Sequence, residues 1–119
     1  MFFYDSYAII EYLQDNPVYT SYFEKQGIFT LLNVLEVYYS VLNEEGKAAA
    51  NEVLDVLYPL KIEPTKEEIR IAMVFRSEHK RLKVSYVDCL GYCIAKERGI
   101  KFLTGDNAFK GLENVEFVK

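Results

Sequence analysis

Four carboxylates in this 119-residue sequence, Asp5, Glu36, Asp88 and Asp106, are spaced so that one pocket could collect them. Asp5 directly follows the aromatic run Phe2-Phe3-Tyr4, and Asp106 follows Ile100-Lys101-Phe102-Leu103 after Thr104-Gly105. Glu36 comes three residues after Asn33 and Asp88 three after Ser85, which predicts both acids in the first turns of capped helices. Each has a plain structural alternative. Asp5-Ser6 can cap a helix, the helix dipole favours first-turn acids, and Gly105-Asp106-Asn107 is turn chemistry. Local context argues for more: Glu36 lies in Val34-Leu35-Glu36-Val37-Tyr38 and Asp88 in Tyr86-Val87-Asp88-Cys89-Leu90, neither a solvated face. Gathered carboxylates repel and raise one another's pKa unless a cation sits among them. Mg²⁺ or Mn²⁺ suits such oxygen ligands, retains waters and bridges carboxylates to phosphate. Phosphodiester hydrolysis by an activated water is the chemistry that follows.

The elements that must position these acids are legible from periodicity. Phe2–Tyr4 reads as a strand, and Ile9, Ile10 and Leu13 recur at helical spacing up to Asp15-Asn16-Pro17. Val18–Lys25 predicts a short helix closed by Gly27, Ile28–Leu32 a strand, and Asn33 the cap of a helix carrying Val34, Val37, Tyr38, Val41 and Leu42. That helix stops near Glu44-Glu45-Gly46, and Lys47–Tyr58 completes a helical hairpin. Leu60-Lys61-Ile62 is a short strand candidate, Thr65 with Glu67-Glu68 opens an acidic helix start running toward Lys80, and Ser85 with Asp88 opens a helix closed by Gly99. Ile100–Leu103 and Val115–Val118 read as strands around a loop from Thr104 to Gly111. Alternating strands and helices predict an α/β fold, a three-layer α/β/α sandwich with a mainly parallel central sheet and right-handed crossovers. Asp5 and Asp106 then meet at the carboxyl edge of that sheet, where ligands usually bind.

Composition bounds the possibilities. With 50% apolar and 27% charged residues, residues 1–119 read as one domain with one core, without disorder or repeats. No run approaches the ~18 apolar residues of a membrane span, and Met-Phe-Phe-Tyr-Asp has no basic leader, so a cytoplasmic protein is expected. A net charge of −4 gives no global pull toward nucleic acid, yet residues 1–60 hold two lysines against nine acids while the remainder holds twelve cations against nine. A locally basic surface is therefore compatible with the total. Cys89 and Cys93, one helical turn apart, read as free buried thiols; with a single histidine and no paired C-x-x-C, structural zinc is not expected.

Four segments together carry a resemblance: Tyr4-Asp5-Ser6 with Ala8-Ile9-Ile10; Asn33-Val34-Leu35-Glu36-Val37-Tyr38-Tyr39; Ser85-Tyr86-Val87-Asp88-Cys89-Leu90 running to Ala95–Gly99; and Phe102-Leu103-Thr104-Gly105-Asp106 followed by Phe109. In order and spacing the whole chain resembles a PIN-domain ribonuclease and, in its small size, a VapC-type toxin of a toxin–antitoxin pair. The resemblance implies a PIN-like fold and a Mg²⁺- or Mn²⁺-dependent endoribonuclease with Asp5, Glu36, Asp88 and Asp106 as its catalytic metal site. Ser6 and Thr104 match the family's hydroxyl positions, which hold carboxylates or a metal-bound water through hydrogen bonds. Ser6 stands where Thr is commoner, and Gly91-Tyr92 replaces a small aliphatic pair. The resemblance further implies an RNA substrate, a homodimer, and a small antitoxin lying across the N-terminal helices and reaching the acidic site.

Arg76, Lys80, Arg81 and Lys83 form the densest basic stretch and, as RNA-binding residues, would guide the backbone toward Asp88; the alternative is a solvated helix end with cations at its negative pole. His79 within it reads as surface. Ten tyrosines without a tryptophan, including Tyr7, Tyr12, Tyr19, Tyr22, Tyr38 and Tyr39 in the first half, predict core packing with rim hydroxyls, or an interface. Two other classes compete with the nuclease. A receiver-like signalling domain wants paired acids after its first strand, which Asp5 lacks. A catalytically silent PIN-like RNA-binding or assembly module has no need of all four acids.

Overall fold

A computed structural model describes residues 1–119. The elements run β1 (Phe2–Tyr4), α1 (Ser6–Leu13), α2 (Pro17–Phe23), β2 (Gly27–Ile28), α3 (Leu31–Glu45), α4 (Lys47–Leu57), α5 (Lys66–Glu78), α6 (Tyr86–Glu97), β3 (Lys101–Thr104) and β4 (Val115–Phe117), with 3₁₀ turns at Tyr58–Leu60, Lys80–Leu82 and Asn107–Phe109. All four strands are parallel, in the order β2-β1-β3-β4. The chain leaves β1 toward β2 and leaves β3 toward β4, in opposite directions across the sheet. A topological switch point therefore lies between β1 and β3, where an α/β sheet opens a crevice at its carboxyl edge.

Period-two alternation divides the strands between two cores. Phe2, Tyr4 and Leu103 pack with α1 through α4, around Ile9, Tyr19, Val34, Val37 and Ala50. Phe3 and Phe102 face the other way, against Ala72 of α5 and the buried stripe Cys89–Ala95 of α6. Helices on both faces of a parallel sheet make the expected three-layer α/β/α sandwich. No helix is long and apolar enough to cross a membrane.

Gly91-Tyr92 has a packing explanation. A Cβ on Gly91 would stand 2.6 Å from the Phe3 ring and 3.0 Å from the Phe102 ring, so glycine lets α6 lie close against the sheet. Tyr92 fills the adjoining space among Phe75, Phe102 and Phe109, and its hydroxyl donates to the Glu113 carbonyl at 2.9 Å. Cys89 and Cys93 are free and buried on the same face.

Several boundaries differ from the sequence expectation. The predicted strand Ile28–Leu32 is only Gly27–Ile28, because Thr30, not Asn33, is the cap of α3, and the helix starts at Leu31. Glu36 consequently sits in the second turn of α3 rather than the first. The short helix ends at Phe23, ahead of Gly27. Leu60–Ile62 is not a strand: Tyr58–Leu60 forms a 3₁₀ turn, and Ile62 makes one isolated parallel bridge to Thr30. Thr104 ends β3 instead of opening a loop, which brings its side chain under the control of the sheet.

Candidate active site at the carboxyl edge of the sheet

Asp5 occupies the turn from β1 into α1, one residue beyond the point where Tyr4 pairs with Leu103. Its amide donates to the Leu103 carbonyl at 3.1 Å, and its side chain is almost fully buried. The same register sets Thr104 beside it, and the Thr104 hydroxyl donates to Asp5 Oδ2 at 2.6 Å. Thr104 Oγ1 also accepts the Asp106 amide at 3.0 Å, tying the acid after β3 to the acid after β1 through one hydroxyl. Asp106 in turn caps the Asn107–Phe109 turn by accepting from the Ala108 amide at 3.0 Å through Oδ1.

Glu36 is held from the helical layer. Ser6 donates its hydroxyl to Glu36 Oε1 at 2.6 Å, and the Asn33 side-chain amide donates to Ser6 Oγ at 2.9 Å. Asn33 can make that contact because its own carbonyl oxygen accepts both the amide and the hydroxyl of Thr30, at 3.0 and 3.1 Å. The result is a continuous line, Thr30 to Asn33 to Ser6 to Glu36, whose first three members are buried. Asp88 enters from the opposite layer: Ser85 Oγ accepts its amide at 3.1 Å at the start of α6, and its carboxylate faces the Ser85 amide at 3.4 Å. The carboxylate is thus only loosely tethered.

The four acids are electrostatic neighbours. Burial first, then the nearby charges of Asp88 and Glu36, push the Asp5 carboxyl up to about 7, against the lowering effect of the Thr104 hydroxyl and the Ser6 amide. Burial raises Glu36, with Asp88 adding to it and Ser6 opposing. Asp88 is raised by burial and by Asp106, opposed by its bonds to Ser85. No lysine, arginine or histidine figures among the influences on these three groups. Hydroxyls and amides alone support the charge, and no three of the carboxylates close into a metal cage. A set of hard oxygen donors with rising pKa and no protein counter-charge fits a divalent cation.

Two contributors escaped the sequence reading. Asn33 reads there as a helix cap, yet it orients Ser6; the signal was Thr30-x-x-Asn33, a capping-box spacing with an amide at the third helical position. Tyr7, read there only as one of many tyrosines, borders the site: its ring lies against Gly105, where a Cβ would collide with it, and its hydroxyl is raised by burial, Glu11 and then Asp106. None of the predicted basic residues bonds to the four acids; Arg76 lies in the last turn of α5 and the others in and just after the following 3₁₀ turn. Lys80, Arg81 and Lys83 are exposed, and none of the four cations is in an ion pair. Arg76 is half-buried and also structural, since its Nε donates to the Val84 carbonyl at 3.1 Å. The largest cavity, about 590 Å³ between α3 and α4, contains none of the four acids; Leu31, Leu35, Leu54 and Tyr58 are among its apolar lining.

Neighbouring carboxylates at the switch point of a parallel three-layer sandwich define a class of α/β proteins with an acidic carboxyl edge. The sequence model of the PIN domain family matches residues 3–115, and the chain belongs to that family, whose members are generally nucleases. Among solved structures it is similar to a toxin–antitoxin complex from Klebsiella pneumoniae, with a TM-score of 0.76 and 16% identity over 98% of this chain and 96% of that one. No curated protein matches.

Proposed function

We propose that residues 1–119 form one PIN domain acting as a divalent-metal-dependent endoribonuclease, the toxin of a toxin–antitoxin pair. The observation that carries this reading is the convergence of Asp5, Glu36, Asp88 and Asp106 from four separate segments onto one edge, supported only by hydroxyls and backbone amides. These four side chains would hold one or two Mg²⁺ or Mn²⁺ ions. When bound, such an ion activates water and neutralises charge on the phosphate oxygens.

The chain's own groups do the rest. Thr104 and Ser6 each donate a hydrogen bond to one carboxylate oxygen, Asp5 Oδ2 and Glu36 Oε1, and so fix the orientation of these two carboxylates. Glu36 and Asp88, both raised from the ordinary carboxylate range, are suited to accept a proton from the attacking water. Attack on phosphorus with departure of the 3′-oxygen leaves 5′-phosphate and 3′-hydroxyl ends. Lys80, Arg81 and Lys83, with Arg76 behind them, neutralise backbone phosphates on the approach to Asp88. A small antitoxin partner is in keeping with the toxin–antitoxin neighbour, the apolar groove between α3 and α4 suits an amphipathic segment of it, and a cytoplasmic homodimer completes the proposal.

The test is cleavage of a mixed RNA pool by the purified, partner-free chain in Mn²⁺ or Mg²⁺, beside EDTA and a folded Asp88→Asn variant. Cutting lost in both controls is expected. Cutting that survives either control refutes the acidic metal site as the source of the cleavage; a chain that binds no divalent ion by calorimetry leaves the silent RNA-binding module.

A further inference from the structure

The basic stretch does more than carry charge. Tyr86 is the first residue of α6, two positions before Asp88 and on a different face of the same helix start. It is 62% exposed, the opposite of what a core tyrosine shows. The Arg76 guanidinium lies over its ring at 4.3 Å from the centroid, and Arg76 is itself anchored by its bond to the Val84 carbonyl. A tethered cation on an exposed aromatic ring holds that ring in one orientation before any ligand arrives.

Two concavities adjoin this pair. A small one of about 120 Å³ is lined by Arg76, His79, Lys80, Lys83 and Val84. His79 is held there by a 2.8 Å contact from Nδ1 to the Phe75 carbonyl and by stacking on the Phe75 ring, which leaves Nε2 free. Lys83 adopts a left-handed backbone with φ of 53°, a conformation a non-glycine residue adopts seldom and often at ligand clamps. The second concavity, about 350 Å³, includes Tyr86 in an otherwise largely apolar lining that reaches Leu32, Met73 and Leu90. An apolar cleft and an unpaired cationic notch on either side of a fixed aromatic ring match a nucleotide: a flat base with a π-face, joined to a phosphate.

We infer that Tyr86, held by Arg76, stacks one unpaired base of single-stranded RNA on the strand's path toward the acidic edge, while the Arg76–His79–Lys80–Lys83 notch takes that nucleotide's phosphate. The inference rests on the ribonuclease reading and deepens it by naming a residue that positions the strand. Tyr86 is a binding residue here, remote from the bond that breaks.

Fluorescence anisotropy of a labelled random RNA dodecamer in EDTA, where nothing is cut, tests it with the full chain. Tyr86→Ala is expected to weaken binding at least fivefold with an unchanged salt slope, as for loss of one stacked base, while Tyr86→Phe stays within twofold of the parent. The Lys80→Ala/Lys83→Ala pair is expected to lower the slope of log K against log salt by about 1.4, at ~0.7 per phosphate contact on a single strand. In the cleavage assay Tyr86→Ala should raise KM and spare kcat. Binding by Tyr86→Ala within twofold of the parent, or equal losses in Tyr86→Phe and Tyr86→Ala, overturns the stacking subsite. The ribonuclease reading survives that result if the parent still cuts RNA; a parent that neither binds nor cuts overturns both.

Discussion

Asp5→Asn is expected to stabilise the metal-free protein at neutral and alkaline pH while abolishing the proposed cation site. The folded carboxyl titrates at about 7 against an ordinary 3.8, chiefly because it is buried. Below pH 3.8 it is protonated in folded and unfolded chains alike and contributes nothing. Between 3.8 and 7 the folded chain keeps a proton that the unfolded chain releases, so stability falls as pH rises; above 7 the whole penalty is present. At 1.36 kcal/mol per pH unit that penalty is about 4 kcal/mol. Asparagine keeps the carbonyl oxygen that accepts from Thr104 and removes the charge, so a gain of about 2–4 kcal/mol is expected at pH 8 and none at pH 3.5. Urea unfolding in EDTA across this range measures it, with far-ultraviolet dichroism as the probe. Added Mg²⁺ or Mn²⁺ should then stabilise the parent, by about 2.7 kcal/mol at a hundredfold excess over Kd, and leave the variant unmoved. A variant no more stable than the parent at pH 8, or a gain independent of pH, would refute the account of a buried, uncompensated carboxylate.

The hydrogen-bonded line behind Glu36 yields a second expectation. Asn33→Ala strands the buried Thr30 amide and hydroxyl and frees Ser6, so it should cost about 1–3 kcal/mol in urea unfolding. Ser6→Ala strands the buried Asn33 amide and should cost a similar amount, about 1–3 kcal/mol, while also reducing divalent-ion affinity about 10–100-fold by calorimetry, as losses of orienting hydrogen bonds behind a ligand do. Gly91→Ala pushes a methyl against Phe3 and Phe102, and a loss of about 1–3 kcal/mol with a lowered thermal midpoint is expected from overpacking.

Much of the fold was legible because its signals are local. The cap and acid of Ser85-x-x-Asp88 and of Thr65-x-x-Glu68 announced α6 and α5 correctly, since a capping box is satisfied within one turn. The aromatic and apolar runs at Phe2–Tyr4 and 100–103 located the two central strands to within a residue, because fully buried strands need continuous apolar sequence. The errors cluster around residues 24–33 and 58–62. There a two-residue strand and an isolated bridge are held by pairing with distant partners, Phe2 and Phe3 in one case and Thr30 in the other, and such short segments carry no period of their own.

The four acids of the proposed site were singled out by type and spacing, but their surroundings are not equivalent and only the folded chain separates them. Sequence places Asp5 after a strand; burial, the Thr104 hydroxyl and the approach of Asp88 and Glu36 from two different helical layers raise its pKa, and these are contacts across up to 99 positions of chain. Asn33 joins the site, Tyr7 flanks it and Tyr86 stands free beside Arg76 for the same reason. Residue type, helical period and cap spacing are short-range properties and can be read along the chain. Charge regulation depends on what water is excluded and which like charges are brought together, and that is decided only when the sheet aligns β1 with β3 and the helices close over its two faces.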